Sequence, residues 1–244
     1  MDASLIEVGQ MTRRISRFHT YYPTGKIPPR TLIKTVFKHL GVKSRNLILG
    51  PGIGEDAAIV ATGNKAIVVT TDPITGALEN MGWLSVHVNA NDVATRGVRP
   101  QWYLVSILLP ERSGDNVLRK IMHQIDRASK ELHIAVIGGH SEVTPGLRRP
   151  LVVGFMIGET DKRRYVTSHG ASPGDLLLLT KEVGIEGTAI LATDLAHTLR
   201  KGVSEKTLVA ARRLMRRISI VKDSQIAVST GGVKAMHDPT EGGI

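Results

Sequence analysis

Three short acidic stretches, far apart along the chain, constrain its fold more than any other feature. They are Gly52–Ala58, Thr70–Asp72 and Asn89–Ala94, and each places a carboxylate beside small or amide residues at the edge of an apolar run. Mg²⁺ takes hard oxygen ligands and usually meets a protein through a few carboxylates together with substrate phosphates. The sequence therefore predicts a fold that brings these stretches together as a metal–nucleotide site.

Apolar patterns that alternate between strand and helix periods predict a protein of the α+β (mixed α/β) class. The predicted strands are Ala66–Thr71, Tyr103–Leu109, Ile134–Ile137, Leu151–Ile157 and the buried-type Leu176–Thr180. The predicted helices are Pro28–Leu40, Gly82–Thr95, Val117–Leu132, Ile185–Ala192 and Glu205–Arg217. In the second helix, an apolar stripe contains Trp83, Val86, Ala90 and Val93, while His87 and Asn91 fall on a different face.

The charge pattern predicts two domains. Residues 1–27 resemble an arm, and apolar sequence gives way to charged residues near Gly158–Arg164. We therefore expect an N-terminal sheet-plus-helices domain over residues 1–160 and a second unit over residues 161–244. The second unit has few predicted strands, so its core is expected to be incomplete.

Composition excludes several classes of function. The chain has no cysteine, which excludes disulfides, thiolate metal sites and a cysteine nucleophile, and fits a cytoplasmic location. Because no apolar run approaches ~20 residues, no membrane span is predicted. The formal net charge is +10, but the basic residues are dispersed and aromatic residues make up only 4% of the chain. Nucleic acid is therefore not the favoured partner.

Each motif also has a simpler interpretation. Gly52, Gly54 and Ala57 fit a dinucleotide fingerprint, but the residues that follow resemble a strand, whereas the fingerprint needs a helix. Asp72 alone could be a turn residue before proline, and His140 a packed or solvated histidine. The amide and acid side chains around Asp92 favour a ligand, because burying them without partners is costly.

Taken together, the motifs resemble the PurM-like superfamily of aminoimidazole ribonucleotide synthetase, thiamine-monophosphate kinase, selenophosphate synthetase and HypE. The resemblance extends from Gly25 to Ile244, and its matching pieces are Gly52–Ala58, Thr70–Asp72, Asn91–Pro100, Gly138–Gly139, Gly170–Asp175 and His237–Gly243. Two further stretches, Thr71–Gly76 and Gly184–Leu191, look most like the HypE-like hydrogenase-maturation branch in its archaeal-type form.

The resemblance implies an N-terminal domain that forms a homodimer through its sheet, and a C-terminal α/β domain packed beside it. It also implies that ATP binds between the domains with Mg²⁺, and that a small-molecule acceptor receives the phosphate. The residues that match motif positions are Asp56, Asp72 and Asp92 as metal ligands, Glu55 and Asn91 as their helpers, Gly52, Gly54, Gly138 and Gly139 beside the nucleotide, and Lys26, His140 and Asp238 as catalytic candidates.

Three departures from the family pattern bear on activity. Kinase-type and HypE-type relatives usually carry Gly-Asp-Thr where this chain has Gly139-His140-Ser141, so one metal carboxylate is missing. Glu142 is the candidate to replace it. The cysteine that HypE presents as its own substrate is absent. The second domain ends just after Gly242-Gly243, so the chain is expected to be truncated relative to the family.

The sequence thus predicts a Mg²⁺-dependent ATP-binding protein that phosphorylates or activates a small acceptor with ATP cleavage. Two alternatives are a small-molecule kinase of the thiamine-monophosphate-kinase type and a non-catalytic ATP-binding assembly protein. The sequence does not identify the acceptor.

Overall fold

The structure is a computed structural model that describes residue 22 and residues 24–240. Its internal contacts form two compact units, Met1–Gly41 and Val42–Ile244. In the first unit, an α-helical turn at Pro29–Thr31 continues as a π-helix at Leu32–Val36. The predicted helix Pro28–Leu40 is therefore present over Pro29–Val36, but most of it is of the π type and it ends four residues earlier than predicted. Most of the predicted arm, residues 1–27, lies outside the described residues.

The second unit is built around one six-stranded sheet with the spatial order β1-β2-β3-β6-β4-β5. The strands are β1 (Leu47–Leu49), β2 (Ala58–Thr62), β3 (Lys65–Ile74), β4 (Trp102–Leu109), β5 (Ala135–Val143) and β6 (Leu151–Asp161). Only β4 and β5 pair in parallel, and the other neighbours are antiparallel. This mixed sheet with helices confirms the predicted fold class.

Strand β3 runs further than predicted, through Asp72 and Pro73 to Ile74. β2 pairs only with Lys65–Val69 of β3, so within the described part of the chain one side of β3 has no strand partner beyond Val69. Proline lacks an N–H donor and is tolerated on such an open side. Burial alternates along the strand, which places Thr70 and Asp72 on the same face of the sheet.

Two long helices cover that face: α1 (Met81–Thr95) and α2 (Asp115–Leu132). All fifteen residues of α1 are buried, because the helix contacts β3, β6, α2 and the C-terminal helix α5 (Val221–Thr230). The predicted apolar stripe on α1 therefore covers only part of the buried surface, because polar residues such as His87 and Asn91 are buried as well. In contrast, α2 is amphipathic as predicted, and its buried side includes Ile121 and Ile125.

The sequence after the sheet is helical in the described residues. The predicted helices are observed at α3 (Ile185–Asp194) and α4 (Glu205–Arg213), the latter followed by a 3₁₀ turn at Leu214–Arg217. Helix α5 was not predicted. The boundary between residues 160 and 161 stays a prediction.

The predicted buried strand Leu176–Thr180 is wrong. The segment has no regular structure, and Leu176, Leu177 and Leu178 are 85–91% exposed. A strand needs hydrogen-bond partners on a neighbouring strand, and within residues 24–240 the strands all lie before residue 162. Among the described residues, no helix combines the length and the apolar character needed to cross a membrane.

Candidate functional site

Three aspartates from distant parts of the chain converge at one point. Asp56 precedes β2, Asp92 lies on α1, and Asp238 follows α5. One carboxylate oxygen of each residue lies within 4.8 Å of the other two. The structure thus brings together two of the three predicted metal ligands and adds Asp238, which the sequence suggested as a catalytic residue.

Asp92 is the most deeply buried member of this group, at 5% exposed. Burial, followed by the negative charges of Asp238, Asp72 and Asp56, raises the pKa of Asp92 from 3.8 to about 9. Thr70 Oγ1 lies 2.8 Å from Asp92 Oδ2 and 2.9 Å from the main-chain oxygen of Asp56. The Thr70 hydroxyl is the donor toward both oxygens, and its bond to Asp92 favours the charged carboxylate, which partly offsets the rise in the pKa of Asp92.

Asp72, the third predicted ligand, is held beside the group by Asn89 of α1. The Asn89 side chain accepts from the Asp72 N–H at 2.8 Å and donates to the Asp72 carbonyl oxygen at 3.3 Å. This pair of bonds fixes the end of β3 against the helix. Asp72 is close enough to raise the pKa of Asp92, but its role as a metal ligand stays a prediction.

A buried cation, Arg96 at the end of α1, neutralises part of the acidic group. Its guanidinium is fully buried and donates to Glu55 Oε2 at 2.9 Å and to Asp56 Oδ2 at 2.7 Å. Ser168 accepts a further bond from it at 2.9 Å. Such charge-assisted pairing orients both carboxylates in a site with little access to water.

Two histidines from the C-terminal half approach the same carboxylates from outside. His169 Nδ1 lies 2.6 Å from Glu55 Oε1, and His237 Nδ1 lies 3.0 Å from Asp56 Oδ1. Both imidazoles are half-exposed or more, unlike the carboxylates they contact. The site is therefore assembled from the turn before β2, from α1 and from two segments beyond residue 160.

The sequence alone did not predict three features of the site: the role of Arg96, the role of His169, and the pair of hydrogen bonds between Asn89 and the backbone of Asp72. Arg96 lies within the motif Asn91–Pro100, but the motif by itself assigns it no role. A usable signal was present, since Arg96 follows an apolar helix and precedes Gly97-Val98. A charged side chain in such a segment must be paired if it is buried. Nothing comparable in the sequence marks His169.

The two predicted glycines before β2 form a tight turn. The Glu55 N–H donates to the Gly52 carbonyl oxygen at 3.4 Å, and Gly54 has a φ of 80°, a conformation that favours glycine. The residues that follow form β2 rather than a helix. The dinucleotide-fingerprint interpretation is therefore excluded, whereas the proposed contact of the glycines with a nucleotide stays a prediction.

Asn91 lies next to Asp92 in sequence, but its amide is engaged elsewhere. Its Nδ2 donates to the Ile218 carbonyl oxygen at 2.9 Å, and its Oδ1 accepts from the Ile220 N–H at 2.9 Å. The side chain thus ties α1 to the segment before α5. Asn91 was also predicted to assist the metal ligands, and that role stays a prediction.

Gly138, Gly139 and His140 lie on β5, at the exposed edge of the sheet. The sheet register aligns Asp72 with Gly154, Val105 and Gly139 in one row across four strands. At about 4.8 Å per strand, Gly139 stands roughly 14 Å from Asp72. The structure therefore does not bring these residues to the aspartate group.

His140 forms a local pair on that edge strand. Its Nε2 lies 3.0 Å from Glu142 Oε2, and Thr144 donates to the other oxygen of Glu142 at 2.7 Å. These hydrogen bonds from Thr144 and His140 lower the pKa of the Glu142 carboxyl. Lys26, the remaining candidate, belongs to the unit Met1–Gly41, and its role stays a prediction.

Comparisons with known proteins agree with this architecture. The chain matches the AIR synthase related protein N-terminal domain over residues 54–160 and the corresponding C-terminal domain over residues 172–244. A Methanocaldococcus jannaschii protein named for hydrogenase expression/formation is 28% identical over 238 residues, which are 95% of this chain and 67% of that protein.

The thiamine-monophosphate kinase of Archaeoglobus fulgidus is 31% identical over 194 residues, which are 75% of this chain and 59% of the kinase. A solved structure of AaThiL complexed with AMPPCP and TMP superposes with a TM-score of 0.63 at 26% identity, covering 83% of this chain and 65% of that one. The chain thus spans about two thirds of the length of these relatives. Because both domains match in the family's order, the chain belongs to the AIR synthase related protein family, as a PurM-like member related to the hydrogenase-maturation proteins.

Proposed function

We propose that this protein binds ATP through Mg²⁺ and uses it to phosphorylate or activate a small acceptor. The observation that carries the proposal is the convergence of Asp56, Asp92 and Asp238 within 4.8 Å. AMPPCP, an ATP analogue, is bound by the similar AaThiL structure, which supports a nucleotide as the ligand of this chain.

The three aspartates fit a divalent metal by the chemistry of their donor atoms. Mg²⁺ prefers carboxylate oxygens and completes its coordination with water and phosphate. Burial and the neighbouring carboxylates raise the pKa of Asp92, so ionising all three aspartates without a metal carries an electrostatic penalty. A divalent cation would remove that penalty, so binding is expected to release a proton from Asp92.

The chain's own residues would position the reactants. Arg96 orients the carboxylate of Asp56, and Thr70 orients that of Asp92. Asn89 fixes the backbone of Asp72. A bound Mg²⁺ would neutralise the charge of the transferring phosphate. Phosphoryl transfer depends mainly on positioning and charge neutralisation, which this arrangement provides.

The acceptor separates two candidate functions. Thiamine monophosphate is a candidate acceptor because one relative is a thiamine-monophosphate kinase and the AaThiL complex contains TMP. A non-catalytic ATP-binding assembly protein is the second candidate. It is favoured by His140, which occupies the position of a family carboxylate and is paired with Glu142 on the exposed edge strand. We assign either function to the cytoplasm, since the chain has no cysteine.

Isothermal titration calorimetry tests nucleotide binding. ATP should bind the wild-type protein with Mg²⁺ and much more weakly with EDTA. Asp92→Asn should weaken Mg²⁺-dependent binding about tenfold or more while leaving the melting temperature near normal, because it keeps the shape and removes the charge. Asp126→Asn, which only breaks an exposed pair with Lys130, is the matched control.

Unchanged affinity in Asp56→Asn, Asp92→Asn and Asp238→Asn alike would show that the site is misplaced. Measurement of ATP hydrolysis with and without thiamine monophosphate then separates the two functions. A kinase should form ADP only with an acceptor, whereas an assembly protein should bind ATP without turnover under either condition.

A further inference from the structure

A cavity of about 670 Å³ opens between the start of α1 and the outer side of α2. Its lining is basic and contains no acidic residue, with four positively charged or titratable side chains from α2: Arg119, Lys120, His123 and Arg127. It is separate from the aspartate group, because Trp83 on its floor precedes Asp92 by nine residues of α1, or roughly 13.5 Å along the helix.

The basic lining follows from the period of α2. Positions 116, 120, 123 and 127 are spaced by three or four residues, and so are 116, 119, 123 and 127, so all five share one side of the helix. The opposite side is buried and carries Ile121, Ile125 and Ala128. The fold therefore presents these charges together as one solvent-facing surface rather than scattering them.

Arg127 is held in place by the core of the protein. Its guanidinium lies 4.5 Å from the centre of the Trp83 ring, which is 3% exposed. The ring of His87 packs against Trp83 with a centroid distance of 4.3 Å, and Trp83 Nε1 donates to the Met215 carbonyl oxygen at 3.3 Å. A buried indole fixed on several sides gives Arg127 a rigid platform.

The positive charge in the cavity is only partly balanced. Lys120 pairs with Glu79, but within residues 24–240 neither Arg119 nor Arg127 has an ion-pair partner. The positive charge of Arg127 also acts on His87 nearby. Burial lowers the pKa of His87 most, and the charges of Arg127 and Lys181 lower it further. Two unbalanced guanidinium groups at the mouth of a cavity favour an anionic ligand.

We propose that this cavity binds a small organic phosphate, a compact polyanion that needs no divalent metal. Its volume falls in the range of small-molecule sites, and guanidinium groups match phosphate oxygens in geometry. The amides of Asn80 and Asn116, which also line the cavity, can bond to the remainder of such a ligand. Nucleic acid is less favoured, because Trp83 is covered and offers no face for a base.

Inorganic pyrophosphate is the probe, titrated in EDTA at about 0.15 M salt, where surface attraction is screened. The chain has two tryptophans, so a Trp102→Phe background leaves Trp83 as the only indole. Pyrophosphate should change its fluorescence in a saturable way, and Arg119→Gln with Arg127→Gln should weaken the affinity about tenfold or more. Arg119→Gln alone is the milder variant, since Arg127 packs on the core.

Arg148→Gln with Arg149→Gln is the matched control, because it removes two exposed charges elsewhere and should bind like the parent. Asp92→Asn should also leave pyrophosphate binding unchanged, which separates this site from the proposed metal site. If the two double variants weakened pyrophosphate binding equally, the binding would depend on general surface charge rather than on this cavity. That result would overturn the proposal. The absence of a saturable change, or a clear preference for an oligonucleotide over pyrophosphate, would overturn it as well.

Because ATP is itself a polyphosphate, its titration in EDTA is repeated in the Arg119→Gln, Arg127→Gln protein. Residual metal-free binding that disappears there belongs to the basic cavity. Metal-free binding that persists would contradict the proposed Mg²⁺ dependence of the aspartate site.

Discussion

Arg96 is the residue on which the acidic site depends most directly. Its buried guanidinium pairs with both Glu55 and Asp56. Removal of one partner from a buried ion pair leaves uncompensated charge and typically costs about 3–5 kcal/mol. We therefore expect Arg96→Met to lower the free energy of unfolding by about that amount in urea denaturation.

Two comparisons control this prediction. Arg96→Met combined with Glu55→Gln and Asp56→Asn should recover most of the loss, because no carboxylate is then left unpaired. Arg200→Met, which breaks an exposed pair with Glu205, should cost at most about 1 kcal/mol. Equal losses for Arg96→Met and Arg200→Met would contradict the buried role of Arg96.

His87 makes stability depend on pH. It is 1% exposed, and neither ring nitrogen has a hydrogen-bond partner among the described residues. Burial, then the charges of Arg127 and Lys181, lower its pKa from 6.5 to about 4. As the pH falls, His87 therefore takes up a proton in the unfolded chain at a higher pH than in the folded protein. The stability that comes from keeping His87 neutral is present above pH 6.5 and is lost as the pH falls toward 4.

His87→Leu should remove this titration. Across that pH window we expect the wild-type protein to lose on the order of 3 kcal/mol more stability than the variant does. Urea denaturation at several pH values measures the difference. Parallel curves for wild type and His87→Leu would rule out the neutral buried histidine.

At the scale of elements, the packing of α1 against α2 depends on Gly82. A Cβ at this position would lie 2.3 Å from the Ile121 carbonyl oxygen, which belongs to the backbone of α2. We therefore expect Gly82→Ala to destabilise the protein by about 1–3 kcal/mol. Gly187→Ala in α3 is the matched control, since its Cβ would meet nothing within 4 Å.

The control should shift stability in the opposite direction. Alanine restricts the unfolded chain more than glycine does, so Gly187→Ala should stabilise by roughly 0.5–1 kcal/mol. Thermal unfolding followed by circular dichroism measures both variants. A neutral Gly82→Ala would show that α1 and α2 can separate more easily than their close approach indicates.

The same scale explains which strands could be predicted. β3, β4 and β6 carry apolar residues in alternation, and the sequence placed each of them within a few residues of its observed bounds. Leu176–Thr180 was equally apolar but is not a strand. Periodicity reports which residues could pack in a sheet, but it contains no information on whether a hydrogen-bonding neighbour is present.

At the scale of the whole molecule, one face of the sheet and its β5 edge are exposed among the residues that the structure describes. Tyr103, Val105 and Ile107 of β4 are buried, while the alternate residues on the opposite face are only partly covered. Phe155 of β6 is 38% exposed, and every residue of the edge strand β5 is exposed. Such edges and apolar faces favour pairing with another chain.

We therefore expect a homodimer formed through the sheet. Light scattering at micromolar concentration should give twice the mass of the chain, and Phe155→Glu should shift the protein to monomer. Val209→Glu on α4, at a comparably exposed residue, is the control and should remain dimeric. A monomeric wild-type protein would contradict the prediction.

The sequence by itself determined the acidic motifs, the mixed fold class and the long amphipathic helix α2. These features are local, because a residue's type and spacing are enough to set a helix period, a strand period or a carboxylate beside a turn. The family could be recognised from the order of those motifs along the chain, because the order is specific even where each single motif is ambiguous.

Only the tertiary structure decided which side chains meet. It placed Asp238 with Asp56 and Asp92, paired Arg96 with Glu55 and Asp56, and turned the Asn91 amide toward the backbone before α5. It also left Gly139 about three strand spacings from Asp72. The contacts join residues that are far apart in the chain: 40 positions for Arg96 and Asp56, and 127 for Asn91 and Ile218. They depend on sheet order and helix packing, and no local pattern in the chain encodes them.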